Sequence, residues 1–102
     1  EARPELLAEL APRRAGMLVA AARDNRLDAA RLMLDLGFPV NIPHAATALH
    51  QAAWFGHLAM ARVLVEAGAD PNLRDPSHHA RPVDWARYNQ KWAVAEYLEA
   101  IG

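Results

Sequence analysis

The residues whose types could carry out catalysis lie together in one short segment, where Asp75, Ser77, His78 and His79 surround Pro76. Carboxylate, hydroxyl and imidazole are the three groups of a nucleophile–base–orienter triad. In such triads the side chains converge from separate elements, whereas these are chain neighbours with no oxyanion-stabilising feature nearby. The segment therefore predicts a turn, and we expect no catalytic residue and no enzyme activity.

Five histidines raise the question of a metal site. His44, His78 and His79 fall in polar segments between helical patterns, and we interpret them as exposed loop residues and not as ligands. The chain has no cysteine, which excludes thiolate metal sites, disulfides and thiol nucleophiles. No glycine-rich phosphate-binding loop is present either. We expect no cofactor, and the lack of cysteine favours a reducing compartment such as the cytoplasm.

The charge pattern limits the class of partner. Eleven basic and twelve acidic residues alternate to give a net charge of −1, so we expect no nucleic-acid binding. No apolar run approaches the roughly 18 residues that cross a bilayer, so we expect no membrane partner. Ten arginines against one lysine, together with 23 alanines, indicate a bacterial genome rich in G and C. The chain begins at Glu1 and not at Met, and we expect it to be a piece of a longer protein.

The elements that must position these residues repeat along the chain. Gly37, Gly68 and Gly102 each close a short apolar segment, and the two intervals between them are nearly equal. A period of about 33 residues is typical of a stacked helical solenoid. Such a stack has a long concave flank and no enclosed pocket, and it generally holds another protein.

The clearest unit covers residues 47–72. Thr47 is a hydroxyl N-cap, and the sequence predicts a helix over 48–55 that ends at Gly56, a residue able to adopt the left-handed conformation. A second helix is predicted over 58–66, because its apolar residues recur at helical spacing.

This unit resembles the ankyrin repeat, whose pattern reads T-P-L-H-x-A-A-x-x-G-H, then an apolar helix, then L-x-x-G-A-D-x-N. Ala48 stands where the family has proline, which is a small departure at the first helical position. The segments one period before and one period after this unit align less completely, as expected for terminal repeats. The matching residues are Thr47, Leu49, His50, Ala52, Ala53, Gly56, His57, Gly68, Ala69, Asp70 and Asn72.

The resemblance implies one all-α domain over residues 1–102, an ankyrin-repeat solenoid of about three helix-turn-helix repeats with an N-terminal capping helix. The sequence predicts that helix over residues 4–11, with Pro12 ending it, and the alternative is that it is the remnant second helix of another repeat. The resemblance implies that the His50 imidazole hydrogen-bonds loop backbone. The predicted divisions are a cap over 1–15, repeats over 16–41 and 42–72, and a C-terminal capping repeat over 73–102.

The resemblance also implies that the first helices line a concave groove, which the two residues after each pair of alanines face. In the last repeat Arg87 replaces the second alanine of the pair. Tryptophan and tyrosine dominate binding hot spots, so the predicted anchors are Trp54, Phe55 and Tyr88. Packing of Trp54 and Phe55 against the loops is the alternative interpretation. The predicted polar periphery consists of Arg23, Asp24, Asn89, His44, His78 and His79.

Other side chains of the last repeat carry packing predictions. Trp85 is expected to cover the end of the stack. Trp92 aligns with Leu27 and Leu58, so we expect it to pack. Two outer-helix residues, Arg62 and Glu96, could pair across repeats, which would contribute only about 0–1 kcal/mol.

The function that follows is non-catalytic binding of a protein or peptide in the groove, by a chain that is monomeric in isolation. The alternative is an architectural or self-association tail of a longer protein. A hydrolase or metalloenzyme is the third class, and it would need Ser77 or a bound metal.

Overall fold

A computed structural model describes the backbone of residues 4–42 and 46–101, and side chains within those ranges from residue 13 onward. The regular elements of this part of the chain are six helices: α1 (Pro4–Arg23), α2 (Leu27–Asp35), α3 (Ala48–Phe55), α4 (Leu58–Glu66), α5 (Pro82–Tyr88) and α6 (Trp92–Ile101). The bounds of α3 and α4 confirm the predicted helices over 48–55 and 58–66.

The six helices form three antiparallel pairs that stack side by side. The first helices make one layer, in which α3 packs between α1 and α5, and the second helices make the other, in which α4 contacts both α2 and α6. The stack is elongated, with principal extents of 47 × 28 × 21 Å. An all-α solenoid of three helix pairs is therefore confirmed.

Each pair turns through one residue with left-handed backbone, at Asn25 (φ 56°), Gly56 (φ 72°) and Gln90 (φ 60°). The amide after each of these residues donates back into the first helix over 2.7–2.9 Å, which closes its last turn. The same turn thus recurs three times, although only the central repeat places glycine there.

Small residues let the helices approach closely. The paired alanines of α1 and α3 are buried, and larger side chains such as Leu18, Leu49 and Leu64 fill the space between the layers. In α5 the second alanine is replaced by Arg87, which is exposed and donates to Glu99 on α6, with its Nε 2.8 Å from Glu99 Oε1. The last repeat accordingly turns a charged side chain towards water where inner repeats bury alanine.

The prediction that Pro12 ends the first helix is wrong, because α1 continues unbroken through it to Arg23. Proline removes one helical hydrogen bond. The turns beyond it bury Leu18, Val19 and Ala22 in the core, however, and this packing outweighs the lost bond.

Two packing predictions for the last repeat are also wrong. Trp92 is 59% exposed, because no further helix pair of the described chain covers the start of α6. Arg62 does not pair with Glu96. Its guanidinium lies over the Tyr97 ring instead, 5.5 Å from the ring centroid, where a cation is attracted to the π face.

Candidate functional site

An open groove of about 670 Å³ lies along α3 and α5, beside the loop that precedes α5. Helical spacing explains how two short helices supply most of its walls, since residues three and four positions apart share a face. We refer to this feature as the aromatic groove. Its lining residues are Gln51, Trp54, Phe55, His78, Ala80, Asp84, Trp85 and Tyr88.

Aromatic rings from two neighbouring repeats contact one another in the groove. Trp54 stacks on Tyr88, with ring centroids 5.9 Å apart and planes 19° apart, and meets Trp85 nearly at a right angle, at 6.0 Å and 79°. Offset stacking and edge contacts of this kind are the favoured arrangements of aromatic pairs. Tyr88 is 82% exposed and Phe55 44% exposed, so much of this aromatic surface faces water.

Asp75, which is 1% exposed, holds the loop that forms one wall of the groove. Its Oδ1 accepts from the Ala80 amide at 2.9 Å and the Trp85 indole at 3.1 Å. Its Oδ2 accepts from the amides of Ser77 at 3.1 Å and His78 at 2.7 Å. Burial acts to raise the pKa of Asp75, but these hydrogen bonds outweigh it and hold the pKa well below its ordinary value. Asp75 is therefore an ionised anchor of the turn that the sequence predicts here.

His50 fastens the same loop to α3. Its Nε2 lies 2.8 Å from the Ala80 carbonyl oxygen and must donate to it, which leaves Nδ1 to accept from the Thr47 hydroxyl at 2.7 Å. Burial lowers the pKa of His50, against the opposing effect of the Ala80 carbonyl, so the ring stays neutral. The role implied by the resemblance, a hydrogen bond to loop backbone, is confirmed.

Four of the predicted site residues, Trp54, Phe55, Tyr88 and His78, line the groove. Trp54 was interpreted either as a groove residue or as a packing residue, and the structure shows features of both. It is half-buried against Trp85 and Tyr88 and also contributes to the groove wall.

The other predicted residues lie elsewhere. Arg23 and Asp24 are exposed and pair with each other, with Nε and Oδ1 3.0 Å apart. The side-chain Nδ2 of Asn89 donates to the Trp54 carbonyl over 2.6 Å, which ties α5 to α3. His79 is exposed, and its carbonyl accepts from Arg74. His44 lies outside the described residues.

Sequence reasoning missed four lining residues: Gln51, Ala80, Asp84 and Trp85. Three of them carried a usable signal, because Gln51 lies three positions before Trp54, and Asp84 and Trp85 lie four and three before Tyr88. Trp85 was expected to cover the end of the stack, whereas its half-buried indole lies against Trp54 in the groove. Ala80 carried no signal, since its position depends on how the loop folds.

Within the part of the chain that the structure describes, no three His, Asp or Glu side chains are grouped so that they could hold a metal ion. In the same part, the helices lack the combined length and apolar character needed to cross a membrane.

Comparison with known families identifies a repeat family. A family model described as ankyrin repeats (3 copies) matches residues 5–75, which is more than half of the chain. A search of curated proteins gave no match. Ankyrin repeats are generally protein–protein interaction modules, and the family is typically non-enzymatic. The match includes α3 and α4, and the pair α5–α6 continues the same stack beyond it.

Proposed function

The chain belongs to the ankyrin-repeat family, and we propose that it binds a protein or peptide segment in the aromatic groove and catalyses no reaction. The observation that carries the proposal is the exposure of Phe55 and Tyr88 on a concave surface shared by two repeats. Exposed aromatic side chains gathered in a concavity are typical of binding surfaces.

The size of the groove favours a segment over a broad globular face. Its volume of about 670 Å³ falls within the roughly 300–1,000 Å³ that is typical of small-molecule binding pockets. A loop or extended peptide can place one or two side chains against Trp54 and Tyr88 while its backbone stays outside. The partner's side chains would then lose exposed apolar surface, which is the main source of affinity in such contacts.

The groove is also held in place before any partner arrives. Asp75 fixes the loop, His50 joins that loop to α3, and Asn89 joins α5 to the Trp54 backbone. Walls that are already ordered lose little conformational entropy on binding. This rigidity supports recognition of a partner segment that adapts to the groove.

Phe55 and Tyr88 provide the test, because both are exposed and their removal leaves the core intact. Peptides selected from a random library on the wild-type chain would be titrated against F55A/Y88A and against W92A, which removes an exposed aromatic residue outside the groove. We expect at least about a tenfold loss of affinity in F55A/Y88A and no change in W92A, with matching circular dichroism spectra. Unchanged affinity in F55A/Y88A would show that the groove is not the binding site.

The exposed face of α6 favours a second candidate, an architectural or self-association role. Trp92, at the start of α6, is 59% exposed, so its indole offers apolar surface that a second copy or an adjoining domain could cover. Light scattering over a wide concentration range distinguishes the two functions. A dimer that W92A dissociates supports self-association, whereas a monomer at every concentration argues against it.

A further inference from the structure

The aromatic groove contains a single formally charged side chain, Asp84, among the residues that line it in the described part of the chain. Its other walls are aromatic rings, an imidazole, an amide and an alanine. We propose that the groove receives a basic side chain, arginine or lysine, from the partner segment. This inference rests on the proposed binding function and adds the chemistry that the groove recognises.

Asp84 carries a negative charge that remains available to a partner. Burial acts to raise the pKa of Asp84, but hydrogen bonds from the Arg81 amide and guanidinium, together with the positive charges of Arg81 and Arg74, outweigh it and lower the pKa. Both bonds fall on Oδ2, at 3.0 Å and 3.5 Å. Oδ1 accepts no hydrogen bond from the described residues, and the side chain is 36% exposed. A donor entering the groove can therefore reach this oxygen.

Arg81 neutralises Asp84 only in part. The guanidinium contact is long, at 3.5 Å, and both side chains are more than a third exposed to water. Ion pairs of this kind are weak because water screens them. The amide of Arg81 supplies the shorter bond, and it is a helix cap that carries no formal charge.

The rings beside Asp84 suit a cation. One face of the Tyr88 ring stacks on Trp54, and Tyr88 is 82% exposed, so its other face is open to a cation. A cation within about 6 Å of an aromatic centroid is attracted by the electron-rich face, most strongly for tryptophan. The Trp85 N–H also donates to the ionised carboxylate of Asp75, which pushes electron density towards the ring.

Other side chains fit the groove less well. An acidic group would meet the Asp84 carboxylate and the negative ring faces, and both repel it. A purely apolar group would remove water from Asp84 without replacing its hydrogen bonds, which is unfavourable. Arginine and lysine satisfy the carboxylate and the rings together, and their methylene stems can cover Tyr88.

The test uses five capped pentapeptides, Ac-Ala-Ala-X-Ala-Ala-amide, in which X is arginine, lysine, citrulline, norleucine or glutamate. The three tryptophan indole N–H signals in a nitrogen–proton NMR spectrum are the readout, with Trp92 as the internal control outside the groove. We expect the arginine and lysine peptides to shift Trp54 and Trp85 but not Trp92. Their Kd should be at least about threefold lower than that of the three uncharged or acidic peptides.

Two variants, each lacking one negative charge, test whether Asp84 is the group that attracts the basic peptides. D84N keeps an oxygen that can accept from the Arg81 amide, so the cap of α5 is retained, while D24N removes the same charge from an exposed pair outside the groove. We expect D84N to bring the arginine and lysine peptides to the affinity of citrulline, and D24N to leave the preference intact. An equal loss in both variants would mean that net charge attracts these peptides, and the inference would be wrong.

The outcomes also separate this inference from the proposed function. If citrulline and norleucine shift Trp54 and Trp85 with the affinity of arginine, the groove binds segments but does not select cations. If no pentapeptide shifts either indole and F55A/Y88A leaves library-selected peptides unaffected, both proposals fail.

Discussion

Replacing Asp75 by asparagine tests whether the loop beside the groove depends on a buried negative charge. Asparagine has the same shape but offers one oxygen where aspartate offers two. In one orientation its NH₂ group faces the Ala80 amide and the Trp85 indole, and in the other it faces the amides of Ser77 and His78. Either way, two donors lose their acceptor and meet another donor.

The size of the effect follows from those two lost bonds. A hydrogen bond to a charged group contributes about 1.5–3 kcal/mol, so two contribute about 3–6 kcal/mol. Removing a buried charge offsets part of this loss, and we expect the free energy of unfolding of D75N to fall by about 3 kcal/mol. For a domain of this size about 1 kcal/mol corresponds to ~4–8 °C, so Tm should fall by ~12–24 °C.

Urea unfolding followed by circular dichroism at 222 nm measures this change, provided that the m-value is the same in both proteins. D35N is the matched control, because it makes the same substitution at an exposed position at the end of α2. S77A is a second control, since it keeps the amide that donates to Asp75. A loss below about 1 kcal/mol in D75N would refute the view that the charge holds the loop.

Two further predictions concern backbone strain and pH. Q90G should stabilise the fold by about 0.5–1 kcal/mol in urea unfolding, because Gln90 has a left-handed φ of 60° that glycine adopts without strain; a destabilised Q90G would contradict this explanation of the turn. Folding lowers the pKa of His50, so as the pH drops below the ordinary histidine pKa of 6.5 the unfolded chain takes up a proton at this residue before the folded chain does. The free energy of unfolding therefore falls as the pH is lowered through this range. We expect a slope of up to about 1.4 kcal/mol per pH unit that is absent in H50Q, and an equal slope in both proteins would show that His50 is not its source.

The central repeat could be predicted from the sequence because its signals are local. Thr47 caps the start of α3 through its own hydroxyl, and Gly56 ends the helix with a left-handed turn. Both features depend on residues within one or two turns of each other, so the bounds of α3 follow from neighbouring residues alone.

The parts that could not be predicted depend on contacts between distant residues. Whether α1 continues past Pro12 is decided by how well Leu18 and Val19 pack against α3, and the exposure of Trp92 by what stacks on α6. A local pattern carries no information on either. The same holds for Ala80, which lines the groove because the loop folds around the buried Asp75.

The groove belongs to the junction between two repeats and to neither repeat alone. Trp54 and Tyr88 occupy equivalent positions in successive repeats, and Gln51 and Trp85 are related by the same interval. Stacking brings equivalent residues of adjacent repeats side by side, so two modest aromatic contributions become one continuous surface. The loop between α4 and α5 then closes one side and adds the acceptor for Trp85. The shape of the groove therefore depends on the register between repeats, and a shift of α5 along α3 would abolish the groove while leaving each helix pair intact.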